Sequence, residues 1–421
     1  MNDKFIFVGL ISLFLILLGL MVWLEAPEER VKLKNVAQAH GIEVGLAVHP
    51  SRFNDVKYAN TVRQEFSSVT PEVAMKFEVI HPCPPPALTT PTSPHFNLKV
   101  ALWVATNPFD RCNGSYRREW NWRPMDEIVA WAEANGLTVY GHTMLWHMQN
   151  PPWVAKIRSP EGREWVMKQH IETIISRYCN DPIVAYDIVN EGMAPDGNLL
   201  PLGPWYDIPN YVDHAFRYAR TALDRCQPAF SSPELAKKGG NEGGAGRRVK
   251  LFYNDWDFEY GRTIYYDAFV TAPGEYNKSD AIYNYLSPLL SGDNPTPIDG
   301  LGMQTHLTMS SKEPDPHDTE QMVAIMTRFA ELGLEIKITE VDVPIYAEEP
   351  IELYEEQAAQ FGGIATACRL VPACTGFATW GLRDAQSWRG AKSSPLMFTD
   401  EPCDDTYCPK PAYFAVREAW K

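Results

Sequence analysis

Apolar and polar positions along this chain follow two alternating rhythms. Short runs rich in β-branched residues, such as Ile183-Val184-Ala185-Tyr186-Asp187-Ile188-Val189 and Leu334-Glu335-Ile336-Lys337-Ile338, read as buried parallel strands. Between such runs lie stretches like Met125-Asp126-Glu127-Ile128-Val129-Ala130-Trp131-Ala132, whose apolar spacing suits a helix lying on a sheet. Candidate strands fall at Glu43–Val48, Phe66–Val69, Thr138–His142, Ala185–Asn190, Val249–Tyr253, Gly300–Gln304, Glu335–Thr339 and Gly376–Trp380. Repeated strand–helix units of this kind predict an α/β fold, a (β/α)8 TIM barrel.

The chemistry gathers where two of these runs stop. Asn190 and Glu191 follow the first, and Glu340 stands near the end of the second. Polar side chains at the C-terminal ends of barrel strands face the mouth where such folds keep their active sites. Two glutamates brought into one cleft suit glycoside hydrolysis, in which one carboxyl donates a proton and the other attacks or activates water. Taken alone, an Asn-Glu pair after a strand could equally cap the next element.

Five blocks in order then resemble glycoside hydrolase family 10, the endo-β-1,4-xylanases. Tyr186-Asp187-Ile188-Val189-Asn190-Glu191 is similar to that family's acid/base motif, and Thr339-Glu340-Val341-Asp342 to its nucleophile motif. Gly141-His142-Thr143-Met144-Leu145-Trp146-His147-Met148-Gln149, Asp299-Gly300-Leu301-Gly302-Met303-Gln304-Thr305-His306-Leu307 and Thr379-Trp380-Gly381-Leu382-Arg383-Asp384 match further blocks. The similarity runs from about Asn35 to the end, broken by two insertions.

The resemblance implies a barrel enzyme that cleaves xylan and xylo-oligosaccharides with retention and needs no cofactor or metal. It makes Glu191 the general acid/base and Glu340 the nucleophile, with Asn190 on the 2-hydroxyl of the sugar at the cleaved bond. His306 and Asp342 would orient Glu340, and Gln304 would steady Glu191. His142, Lys76 and Trp146 would surround the same sugar, with Trp380 and Trp388 as aromatic walls. Glu72, Lys76 and Gln149 would hold the next sugar toward the non-reducing end, while Asn254 and Trp256 would face the leaving group. His147 reads as a satisfied core histidine. In Thr70-Pro71-Glu72-Val73-Ala74-Met75-Lys76 one position departs from the family: Val73 stands where Asn is usual, and valine offers no side-chain hydrogen bond.

The chain of 421 residues carries a formal charge of −15, which argues against nucleic acid or an anionic membrane surface as partners. Its 13 Trp and 19 Tyr offer flat faces for sugar rings, although most such side chains belong to cores. Phe5–Leu24 is a run of 20 uncharged residues behind Lys4, long enough to cross a bilayer. No small-residue cleavage pattern follows it. Residues 1–34 are therefore expected to be a membrane anchor and spacer, with the catalytic domain, 35–421, on the extracytoplasmic side. Secretion after signal cleavage is the alternative.

An exported setting favours disulfides for the eight Cys. Spacing suggests Cys368–Cys374 and Cys403–Cys408, each across a short loop, with Cys83–Cys112 across an insertion and Cys179–Cys226 remaining. The Pro82–Tyr116 insertion follows the second strand and belongs to the active-site face. The Gly-rich Ser231–Arg248 insertion precedes the fifth strand and belongs to the opposite one.

Overall fold

The structure is a computed structural model that describes residues 31–107, 112, 119–179, 182–194, 196–228, 248–261, 276–307, 318–345, 351–390 and 393–421. Eight parallel strands close into a barrel in sequence order: β1 (Glu43–Val48), β2 (Ser68–Pro71), β3 (Thr138–Gly141), β4 (Ile183–Asn190), β5 (Lys250–Asp255), β6 (Gly300–Met303), β7 (Glu335–Val341) and β8 (Cys374–Thr379). Closure is made by β1 against β8, with Glu43 opposite Gly376 and Leu46 opposite Thr379. The (β/α)8 fold expected from the strand pattern is present.

Helices α1 (Leu33–Gln38), α2 (Val56–Glu65), α3 (Phe77–Ile80), α4 (Pro86–Thr89), α5 (Leu98–Thr106), α6 (Arg123–Ala134), α7 (Pro160–Tyr178), α8 (Tyr211–Cys226), α9 (Lys278–Leu289), α10 (Thr319–Ala330), α11 (Ile351–Leu370) and α12 (Pro411–Ala419) complete the order. Their starts are written locally. Ser159 caps α7 by accepting from the Gly162 amide, with Pro160 at the first helical position. Asn277 and Asp318 cap α9 and α10 in the same way. One face of each long helix then meets the barrel: Val166, Ile171, Ile174 and Ile175 of α7 are all fully buried.

Polar residues inside strands have specific partners. Lys337 of β7 interrupts an apolar run, and its Nζ lies 2.9 Å from Oε2 of Glu43 on β1. The second strand begins at Ser68 rather than Phe66, because Phe66 still closes α2 by donating its amide to the Val62 carbonyl and packs in the core. An antiparallel hairpin, β9 (Phe398–Cys403) and β10 (Thr406–Pro409), follows the barrel.

All four suggested disulfides are present: Cys83–Cys112, Cys179–Cys226, Cys368–Cys374 and Cys403–Cys408. The first ties down the insertion after β2, whose described part carries α4 and α5. The Gly-rich stretch 231–247 and the apolar run Phe5–Leu24 lie outside the described residues. Among the described residues no helix is long and apolar enough to cross a membrane.

Candidate active site

Strand ends deliver the two glutamates to one place. Glu191 follows β4 directly and adopts φ +55°, a left-handed conformation uncommon for a non-glycine residue. Its amide is held by the Asn254 carbonyl at 2.9 Å, so the turn is fixed by the neighbouring strand. Glu340 lies inside β7, one residue before its end. It is buried deeper, its side chain 5% exposed against 13% for Glu191.

A chain of amides joins them. Gln304 donates through Nε2 to Glu191 Oε1 at 3.0 Å and to Asn190 Oδ1 at 3.1 Å. Asn254 donates through Nδ2 to Asn190 Oδ1 at 2.9 Å and to Glu340 Oε1 at 2.8 Å. Thr339 in turn donates to Asn254 Oδ1 at 2.8 Å. Gly302 on β6 makes room for this, since a Cβ there would overlap Asn254 Oδ1. Asn254 is therefore placed differently from expectation. Instead of facing a leaving group it is fully buried between the two sites, its amide committed to Asn190 and Glu340.

Two imidazole–carboxylate pairs flank Glu340. His306 reaches Asp342 Oδ2 with Nδ1 at 2.9 Å and Glu340 Oε2 with Nε2 at 3.2 Å. His142 places Nδ1 2.9 Å from Asp187 Oδ2 and 3.9 Å from Glu340 Oε1. Asp187 also accepts from the Tyr140 hydroxyl at 2.5 Å. Trp388 Nε1 and Arg389 Nε donate to the two oxygens of Asp342, at 2.8 Å and 3.0 Å.

These neighbours decide the charge states. Burial pushes the Glu340 carboxyl up, but His142, His306 and the Asn254 amide outweigh it and hold it below the usual glutamate value. Burial alone would lower the His306 pKa, yet Asp342 and Glu340 raise it to about 10. Asp342 is held low by the same imidazole and by Arg389 against the burial that would raise it. At neutral pH the result is an ionised Glu340 carboxylate beside an imidazolium.

The remaining predicted residues line the same region. Lys76 is buried, and burial lowers its pKa against the pull of Glu340, Glu191, Glu72 and Glu78. Its ammonium sits 4.6 Å from the Trp146 ring centre and 5.8 Å from that of Trp380. Trp146 donates through Nε1 to Glu191 Oε2 at 2.6 Å. Trp380 packs edge-on against both His142 and His306, while Trp388 stays 57% exposed. Trp256 follows β5 and takes the buried Lys278 ammonium on its face, 4.2 Å from the ring centre. Gln149 donates to Glu78, and Glu72 is ion-paired to Arg52.

Sequence reasoning set His147 aside, yet its Nδ1 lies 3.6 Å from Glu191 Oε2. Its position directly after Trp146 in a matched block was the available signal. Asp187, Arg389 and Arg52 also went unassigned. Asp187 sat within a quoted motif, whereas nothing in the spacing of Arg52 marks it.

With this geometry in view, comparison with known proteins is decisive. The pattern of Glycosyl hydrolase family 10 matches residues 32–231 and 244–419. The chain belongs to that family. The gap falls within the Gly-rich insertion. A β-1,4-xylanase of Dictyoglomus thermophilum is 29% identical over 435 residues, spanning 99% of each chain. Endo-1,4-β-xylanase B of Thermotoga neapolitana is 27% identical over 97% of each. Native xylanase 10B of Thermotoga maritima superimposes with a TM-score of 0.68 at 26% identity, covering 93% of this chain and 98% of that one. The same score and identity hold for xylanase 10B of Thermotoga petrophila, solved with xylobiose. As a family 10 member the chain is a glycoside hydrolase.

Proposed function

We propose that this protein is a retaining endo-β-1,4-xylanase, hydrolysing internal β-1,4 bonds of xylan through a covalent glycosyl-enzyme intermediate. The observation that carries the reading is the asymmetry between the two glutamates. Glu340 is enclosed by donors and cations that keep it ionised, while Glu191 is more open and has Trp146 and Gln304 on its oxygens. The xylanase names of the relatives, and the xylobiose bound to one neighbour, support the choice of substrate.

In the first step a Glu340 oxygen forms a bond to the anomeric carbon. The bond from that carbon to the glycosidic oxygen breaks, and Glu191 passes its proton to the departing oxygen. In the second step the Glu191 carboxylate takes a proton from water as the water oxygen attacks the same carbon and Glu340 leaves. Two inversions restore the starting configuration. Asn190 accepts two amide hydrogen bonds on its oxygen, so its own NH2 is the donor to offer the 2-hydroxyl. Lys76, His142, Trp146 and Trp380 surround the sugar at the cleaved bond, with Trp388 as an outer wall. Glu72 lies toward the non-reducing side and Trp256 toward the leaving group.

Early products followed by NMR test this. The β-anomer should appear first from xylo-oligosaccharides, and reducing ends should be released faster from xylan than from glucan or mannan. An initial α-anomer would overturn retention, and no release from xylan would overturn the substrate.

The same reading holds the catalytic domain outside a membrane by the uncharged Phe5–Leu24 run. Full-length protein made in a bacterial host should sediment with membranes through a high-salt wash. Recovery of a soluble mature form starting near Ala26 would support signal cleavage instead.

A further inference from the structure

Arg52 lies in the loop after β1, outside the five motifs that carry the sequence resemblance. Its guanidinium joins three elements. Nη1 is 2.8 Å from Oε2 of Glu72, just past β2. Nη2 donates at 3.3 Å to the Gln386 carbonyl in the loop after β8, two residues before Trp388. Its charge also acts on the buried Tyr58 phenol of α2, opposing the burial that raises that group's pKa. The Arg52 and Glu72 side chains keep 17% and 20% exposure, so the pair belongs to the rim of the barrel mouth rather than to its core. Glu72 lies within electrostatic range of Lys76, which also feels both Glu340 and Glu191.

Glu72 has no polar helper at the next position. Val73 is half-buried and presents only methyl groups, so at this pair of positions the Glu72 carboxylate alone can accept from a sugar hydroxyl. A long acidic side chain left to itself loses rotamer freedom when it binds. Arg52 fixes it beforehand and ties it to the backbone of the segment that carries Trp388.

We propose that Arg52 is a positioning residue for glycone length: by fixing Glu72 against the Trp388 loop, it sets affinity for a second sugar on the non-reducing side of the cleaved bond. This rests on the xylanase reading above. Aryl β-xyloside and aryl β-xylobioside with one leaving group separate the two subsites, because only the second places a sugar there. Arg52→Met should lower kcat/KM on the xylobioside about 10-fold, chiefly through KM, and change the xyloside less than about twofold. Arg52→Lys keeps the charge but one contact at most, and should restore part of the loss. A melting curve on each variant checks folding. If Arg52→Met does not fold, Arg52→Lys carries the test alone, with a loss of about threefold confined to the xylobioside. Equal losses on both glycosides, or none on the xylobioside, would overturn the assignment while leaving the enzyme a xylanase. A wild-type protein inactive on both glycosides and on xylan would overturn both readings together.

Discussion

His306 stands between two carboxylates, 2.9 Å from Asp342 and 3.2 Å from Glu340, and the protein keeps it charged. That charge is borrowed from Asp342, which Trp388 and Arg389 hold ionised. Asp342→Asn keeps the shape and removes the charge. The His306 titration, followed by NMR of the imidazole, should then fall from about 10. kcat/KM on xylan should fall about tenfold or more, because Glu340 loses an ionic partner. An unmoved His306 titration would show that Glu340 alone sustains the imidazolium.

The two glutamates should fail differently. On the proposed roles, Glu191→Ala removes the proton donor, a contribution worth about 10²–10⁴-fold on xylan. Aryl glycosides with activated leaving groups need little protonation and should retain most of their rate of glycosyl-enzyme formation. Glu340→Ala should lose both substrate types, and azide should restore some turnover with inversion. Burst and steady-state kinetics on the two substrate types read this directly. Equal loss of all substrates by both variants would refute the division of roles.

What the sequence disclosed, and what it withheld, follows from the physics of each feature. Strands such as β4 and β7 were legible because each is a largely apolar run bounded by Gly or Pro, and Glu191 and Glu340 because they stand at the ends of such runs. Two disulfides, Cys368–Cys374 and Cys403–Cys408, followed from short loops, and the other two from the insertion and the cysteines left over. Asn254 was misplaced because a buried amide on a strand has no periodic signature, and its partners come from β4 and β7. His147 and Arg52 escaped because their meaning lies in contacts from distant parts of the chain. The β9–β10 hairpin was missed because only Phe398 and Tyr407 in it are buried and it lacks an apolar run.

A buried histidine pair makes stability depend on pH. His81 and His170 share a hydrogen bond of 3.3 Å between their Nδ1 atoms and stack with Phe77 and Trp120, while Trp153 meets His81 edge-on. Glu119 approaches His81 Nε2 at 3.5 Å. Burial nonetheless lowers His81 to about 3 and pushes His170 well below its usual value, with His81 repelling its charge. The unfolded chain protonates both near pH 6.5. Between that pH and about 3 the unfolded state therefore binds more protons, and stability should fall with acidification. Each histidine contributes a slope of at most about 1.4 kcal/mol per pH unit. His170→Phe should flatten the acid limb of a urea-denaturation series by about one proton. An unchanged slope would show that the pair is already charged in the fold.

Val73 gives the last test. It lies between Glu72 and Lys76, half-buried, and its carbonyl accepts from the Lys76 amide. Its backbone therefore helps to set the turn that delivers Lys76 to Glu340 and Glu191, while its side chain offers a substrate nothing polar. Asparagine there would add one neutral hydrogen bond to a sugar hydroxyl, worth about 0.5–1.5 kcal/mol. Short substrates have few other contacts, so the gain should be largest for xylotriose and smaller for polymeric xylan. If the contact persists into the transition state, it appears in kcat/KM. The competing outcome is that Val73 packs against the insertion carrying α4 and α5. An amide buried there without a partner would cost stability and give no rate. Xylotriose kinetics and a melting curve on Val73→Asn decide between them. A several-fold rise in kcat/KM at unchanged melting temperature supports a polar gap in the subsite; an unchanged rate with a lower melting temperature assigns Val73 to packing.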